Sequence, residues 1–188
     1  MGGRPNGVIM QPFTVESVSD SLALFGIAPG AVRSAIGGIR TAEEAVETLS
    51  ESIADSPYGI VIDRAATLEE GLDSVAAACH QIGCGLTWII GGEGKSMHTA
   101  DIEVSMGGAV KNALVDYKAN EDLFHPVIHA IERAAGGHLR IFPLRQYYGS
   151  DNFTYAVLGK HDWERVLNVL GNTAFNAVFV SLDGKPVV

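Results

Sequence analysis

GCGLTWIIGG (83–92), HTADIEVSMGG (98–108), FHPVIHAIERAAGG (124–137), HLRIFPLRQYY (138–148) and FTYAVLG (153–159) follow one another in an order that decides the fold class. They read as two strands, an amphipathic helix and two more strands. The run Cys84 to Ile90 is apolar on both faces, which predicts a central strand. In DIEVSM the residues Ile102, Val104 and Met106 alternate with polar ones, so this strand has one wet face. Phe124, Val127, Ile128, Ile131 and Ala135 form the apolar face of a helix over 121–135, with Glu132 and Arg133 directed away from it. Gly136-Gly137 is its stop. The segments 139–147 and 153–158 then pair across a GSDN turn, as in a hairpin.

Upstream, Thr41 with Glu44 three residues on is a capping-box signature, and Ala45, Leu49 and Ile53 share one helical face. YGIVID is a short apolar strand. Thr67 with Glu70 repeats the signature ahead of a second stripe, Leu68, Leu72, Val75, Ala76 and Cys79, which Gly83 ends. VSDSLALFGI and AVRSAI suggest two further short helices separated at Pro29-Gly30. Residues 1–13, with three Gly and two Pro, read as a flexible N-terminal arm outside the core. After Lys160 a short helix bearing Trp163, Val166, Leu167 and Leu170, followed by a strand from Phe175 to Leu182, forms a C-terminal extension over 160–188.

The chain thus offers strand–helix–strand units at about 58–90, 101–147 and 153–182. Parallel pairing throughout would require right-handed crossovers, but the short GSDN link demands at least one antiparallel pair. The expected architecture is a single α+β domain over 1–188, a mixed or antiparallel β-sheet sandwich with packed helices.

A chain of 188 residues that is 47% hydrophobic can bury a sizeable core. Its 22 acidic against 13 basic side chains, a formal charge of −9, oppose capture of a phosphate backbone, so no specific nucleic-acid binding is expected. Two cysteines, Cys79 and Cys84, are too few for a disulfide framework, and a reducing compartment follows. The N-terminal segment is neither a signal peptide nor a membrane span, and no apolar run approaches about eighteen residues, so a cytoplasmic protein without membrane contact is expected.

Several local patterns resemble reaction centres. GGEGKS at 91–96 ends like a phosphate-binding loop, but Ile89 occupies the position of its first glycine and a strand, not a helix, follows. It reads as a loop between strands. Cys84, His98 and Asp101 supply the residue types of a thiolate nucleophile, its base and an orienting carboxylate, the basis of an alternative reading as a hydrolase or deamidase. A thiol in an apolar strand is more simply a small core residue. His125 and His129, with Glu132 nearby, share a helix face, yet Pro126 stands where a zinc protease needs Glu. Tyr147-Tyr148 beside Arg140 and Arg145 could stack on bases, although the chain's acidity favours a hairpin packing face. Trp88 and Trp163 read as core. No residue is therefore assigned a catalytic, cofactor-binding or metal-ligating role.

Over about residues 41–159, the order GCGLTWIIGGEGKS, ADIEVSMGGAVKNA, HPVIHAIERAAGGHLRIFPLRQYYGSDNFTYAVLG, preceded by a helix and a strand, resembles the tail-terminator, or tail-completion, proteins of tailed bacteriophages. The resemblance rests on element order. It implies a small α+β sandwich with a closing hairpin, a homo-oligomeric ring, possibly a hexamer, that caps the tail tube at the head–tail junction, and contacts with tail-tube and connector proteins. Assembly would begin in the cytoplasm and end in the virion tail. The helix at 67–80 and the segment after Lys160 lie outside that order. A second alternative, suggested by the net charge, is a small acidic immunity or binding protein that covers a basic partner.

Overall fold

The computed structural model describes residues 12–91, 99–116 and 124–188. Three of its helices begin where side chains satisfy the first-turn amides. Thr14 caps α1 (Val15–Leu24), Thr41 caps α3 (Ala42–Ala54) and Thr67 caps α4 (Leu68–Gln81). In α3 the Glu44 amide donates to Thr41 Oγ1 at 3.1 Å while Glu44 Oε2 accepts the Thr41 amide at 2.9 Å. The same reciprocal pair links Thr67 and Glu70 at 3.2 and 2.7 Å. Each box satisfies two amides that the helix cannot. Pro29 initiates α2 (Pro29–Ile36), where its missing N–H costs nothing.

Two antiparallel three-stranded sheets carry the fold. β1 (Gly59–Asp63), β5 (Leu139–Pro143) and β6 (Asn152–Gly159) form one, in the order β1-β6-β5. β2 (Leu86–Ile90), β3 (Thr99–Met106) and β4 (Ala109–Asp116) form the other, in sequence order. The class is therefore α+β with antiparallel sheets, as the sequence predicts.

Alternation across the first sheet separates two cores. Ile60, Ile62, Leu139, Ile141, Tyr155 and Val157 face α4 and α5 (His125–Ala134), and the inner face of the second sheet, Leu86, Ile102, Val104, Met106 and Ala113, joins the same cluster. Phe142, Leu144, Ala156 and Leu158 face the opposite way, onto α1, α2, α3 and α6 (Lys160–Val178). β6, paired on both sides and buried on both faces, is the central strand.

Four expectations change. Residues 84–90 do not form a central strand: β2 is an outer strand of its sheet, and Ile89 is 63% exposed. A strand unforeseen in the sequence, β4, pairs with β3 through Gly107-Gly108, whose φ values of 56° and 83° suit a two-residue hairpin turn. The strand expected from Phe175 to Leu182 is helical through Val178; α6 breaks at Gly171 (φ 73°) and resumes, and Phe179 makes only a bridge to Leu144. Finally Phe13, placed in the arm by composition, is 1% exposed in the helical core.

The segment after Lys160 is thus no appendage. Trp163 lies 4.8 Å from Phe142 and 4.9 Å from Phe179 between ring centroids, both edge-on, and its indole N–H donates to Arg140 O at 2.8 Å. Edge-to-face rings of this kind stabilise beyond the area they bury.

Candidate functional site

The connection between β5 and β6 shapes a concave feature of the described surface. Leu144 is tied to Thr154 O at 3.0 Å, a 3-10 turn spans Arg145–Tyr147, and Gly149 takes φ 79°. The chain therefore folds back over the first half of β6 and leaves a cleft of about 280 Å³. Tyr147, Tyr148, Phe153, Thr154 and Tyr155 line it, with Arg64 from the end of β1 and His125 from the start of α5. Among the described residues no Asp or Glu lines it.

The walls are held from behind. Tyr148 donates its hydroxyl hydrogen to Leu182 O at 3.1 Å and packs its ring over Gly184, where a Cβ would come within 3.0 Å of it. His125 stacks on Tyr148 with centroids 6.0 Å apart and meets the edge of Tyr155 at 6.1 Å. The Arg64 guanidinium lies over Phe153, 5.6 Å from the ring centroid.

Of the residues singled out in the sequence, Tyr147 and Tyr148 are here, but their expected companions are not. Arg145 donates to Asn176 O at 2.7 Å, and Arg140 lies 3.8 Å from Glu132. Arg64 takes their place, 83 positions before Tyr147 in the chain. The Gly-Tyr-Tyr composition of the link was visible, whereas no periodicity points from it to Arg64.

Two members of the thiol arrangement, Cys84 and Asp101, stand apart. Cys84 lies ahead of β2, half-buried against the core, its amide donating to Cys79 O at 3.0 Å. Asp101 is level with the far end of that strand, its carbonyl accepting the Gly91 amide at 2.7 Å. β2 alone separates the two by about 16 Å at ~3.3 Å per residue. His98 and residues 92–96 of GGEGKS lie outside the described residues. Cys79 is fully buried, and burial, aided by neighbouring Cys84, pushes its thiol up to about 12, a core residue rather than a nucleophile.

His125 and His129 also part company: His125 belongs to the cleft wall and His129 is exposed. No group of three metal-ligating side chains occurs among the described residues. Glu132, expected to face solvent, instead accepts the Ile141 amide at 2.9 Å and is only 14% exposed. It joins α5 to β5. Burial raises its carboxyl above the ordinary value, opposed by the Ile141 hydrogen bond, Arg140 and His129.

Because the folded-state value is the higher one, the Glu132 contribution is fully present below the ordinary carboxyl range. It diminishes as pH rises through the raised value. Glu132→Gln keeps an acceptor for Ile141 without the buried charge, and should leave stability at pH 7 unchanged or higher with less loss between pH 4.5 and 7. Glu132→Ala strands that amide and should cost about 1–3 kcal/mol. Urea midpoints at several pH values test both; equal losses for the two variants would show that the hydrogen bond is immaterial.

The outer face of the second sheet is the other distinctive surface. Register places Ile89, Glu103 and Asn112 in one row and Thr87, Ser105 and Val110 in the next, with Leu114 opposite Asp101. Ile89, Leu114 and Val110 are 63%, 60% and 47% exposed, flanking the acids of the middle strand. Exposed aliphatics thus stand on both outer strands of this face, with polar and acidic side chains between them.

No family model matches the chain, nor does any curated protein or solved structure.

Proposed function

We propose that the chain is a structural subunit of the phage tail-terminator type. It assembles as a homo-oligomeric ring at the head–tail junction that caps the tail tube, meeting tube and connector proteins in the virion. The observation that carries this reading is the outer sheet face bearing Ile89, Val110 and Leu114 around Asp101 and Glu103.

A symmetric dimer through this face would set the carboxylates of two copies against each other, which costs energy at a desolvated contact. A head-to-tail contact sets the face against a different patch and, when the rotation closes, makes a ring. The separation of Cys84 from Asp101 leaves the hydrolase alternative without its orienting carboxylate, and no described helix is long and apolar enough to cross a membrane.

Light scattering and mass photometry on the full chain should find a closed ring of identical subunits. Ile89→Glu with Leu114→Glu should weaken its assembly by at least about tenfold while leaving the subunit's circular dichroism unchanged, since both positions are exposed. A strict monomer at high concentration that also fails to bind tail tubes, or a symmetric dimer, would overturn the reading. A monomer would favour the small acidic binding protein instead.

A further inference from the structure

The Arg64 cleft is unused by a ring-forming role, and its lining sets a cation beside aromatic rings. In a chain of net charge −9, the described residues of its lining include one arginine, one histidine and no carboxylate. Asp63, the acid next to Arg64, directs Oδ1 to the Ala65 amide at 2.7 Å. Among the described residues Arg64 makes no ion pair, in contrast to Arg140 with Glu132 and Arg165 with Asp162.

Resting on Phe153, the guanidinium engages an aromatic ring while the N–H donors at its edge stay available to an acceptor. His125 brings the N-terminal end of α5 to the same cleft, a helix with no acidic residue in its first turn and no side-chain cap. That end carries the positive pole of the helix. Both features favour negative charge at one side of the cleft.

Four rings, Tyr147, Tyr148, Phe153 and Tyr155, stand in the remaining wall, beside the polar Ser150, Asn152 and Thr154. Flat polarizable walls beside a fixed cation select a planar body joined to an anionic group. At about 280 Å³ the space lies at the lower limit for small-molecule sites, enough for one ring and one charged substituent.

We propose that this cleft binds a small planar anion, an aromatic ring carrying one carboxylate or one phosphate. Arg64 takes the charged group as a fork of two N–H donors, and the ring lies against the aromatic wall formed by the β5–β6 connection. The proposal does not rest on the ring assembly, which is read by a separate measurement on the same chain.

The test titrates benzoate, phenyl phosphate and neutral benzamide into the 15N-labelled full chain. Benzoate or phenyl phosphate should bind with a Kd on the order of 1 mM, and the preferred one identifies the anionic group. Shifts should centre on residues 147–155 and Arg64, and benzamide should bind at least about tenfold more weakly. Arg64→Met should lose about tenfold in affinity for the anion and leave benzamide unaffected, while Arg64→Lys, which keeps charge without the fork, should fall between. Arg64 is exposed, so both variants should fold, and the spectrum of each checks this. No binding at about 10 mM, benzamide binding as tightly as benzoate, or full affinity in Arg64→Met would each overturn the proposal.

Discussion

Ile131→Asp is expected to abolish folding. Ile131 is fully buried on α5, in the cluster where side chains from both sheets meet α4 and α5. Its neighbours along the helix, Val127, Ile128, Ala130 and Ala134, are buried as well, so a carboxylate there finds no route to water. Losing the aliphatic burial costs about 1.5–3 kcal/mol, and an unpaired acid adds several more. A single domain has roughly 5–15 kcal/mol in total. The variant should be insoluble, or should retain far-ultraviolet circular dichroism without a cooperative thermal transition. Ile131→Val, with an expected loss of about 0.5–1.5 kcal/mol, should fold and melt lower. Soluble Ile131→Asp with a cooperative transition would mean that α5 does not tie the sheets together.

The second large effect is at Gly59, where α3 turns into β1. A Cβ there would collide with the carbonyl oxygens of Ala54 and Ile53 at the end of α3. Those are backbone atoms, and the Ile53 oxygen already accepts from the Ser56 amide at 3.1 Å and the Ser56 hydroxyl at 2.7 Å. They have no rotamer with which to yield. Gly59 also pairs with Ala156 of the central strand, so β1 cannot retreat without breaking its ladder. Gly59→Ala should cost about 1–3 kcal/mol or more, at about 2–4 °C of melting temperature per kcal/mol. Gly30→Ala, near the start of α2 with open space around it, should be neutral or mildly stabilising. Equal urea midpoints for Gly59→Ala and the parent would refute the close approach of helix and strand.

Features set by neighbours three or four positions away were legible without a fold. The Thr41 and Thr67 boxes, the stripe Leu68, Leu72, Val75 and Cys79, and the alternation of Ile102, Val104 and Met106 all appear as the sequence predicts. The Gly107-Gly108 signal for β4 was present as well; the alternation after it is too polar for burial to single it out, since only Ala113 is buried among 109–114.

Phe175 to Leu182 was misread for a different reason. Its aromatic and β-branched residues suit a strand, but as a helix Ala174, Phe175 and Val178 fall together, and Phe175 meets Trp163 at 6.0 Å and Phe179 at 4.8 Å. Burial against other rings outweighs a propensity worth at most about 1 kcal/mol.

By itself, then, the sequence determined the capped starts of α3 and α4, the buried stripes of α3, α4 and α5, the α+β class and the antiparallel hairpin of β5 and β6. Only the tertiary structure decided that β6 rather than β2 is central, that the last helix completes a second core, and that Arg64, His125 and the Tyr147-Tyr148 link share a cleft. The reason is the range of the forces involved. Caps and amphipathic periods arise within one or two turns of chain, whereas two-sided burial of a strand and the meeting of distant side chains depend on which segments the sheet order brings together.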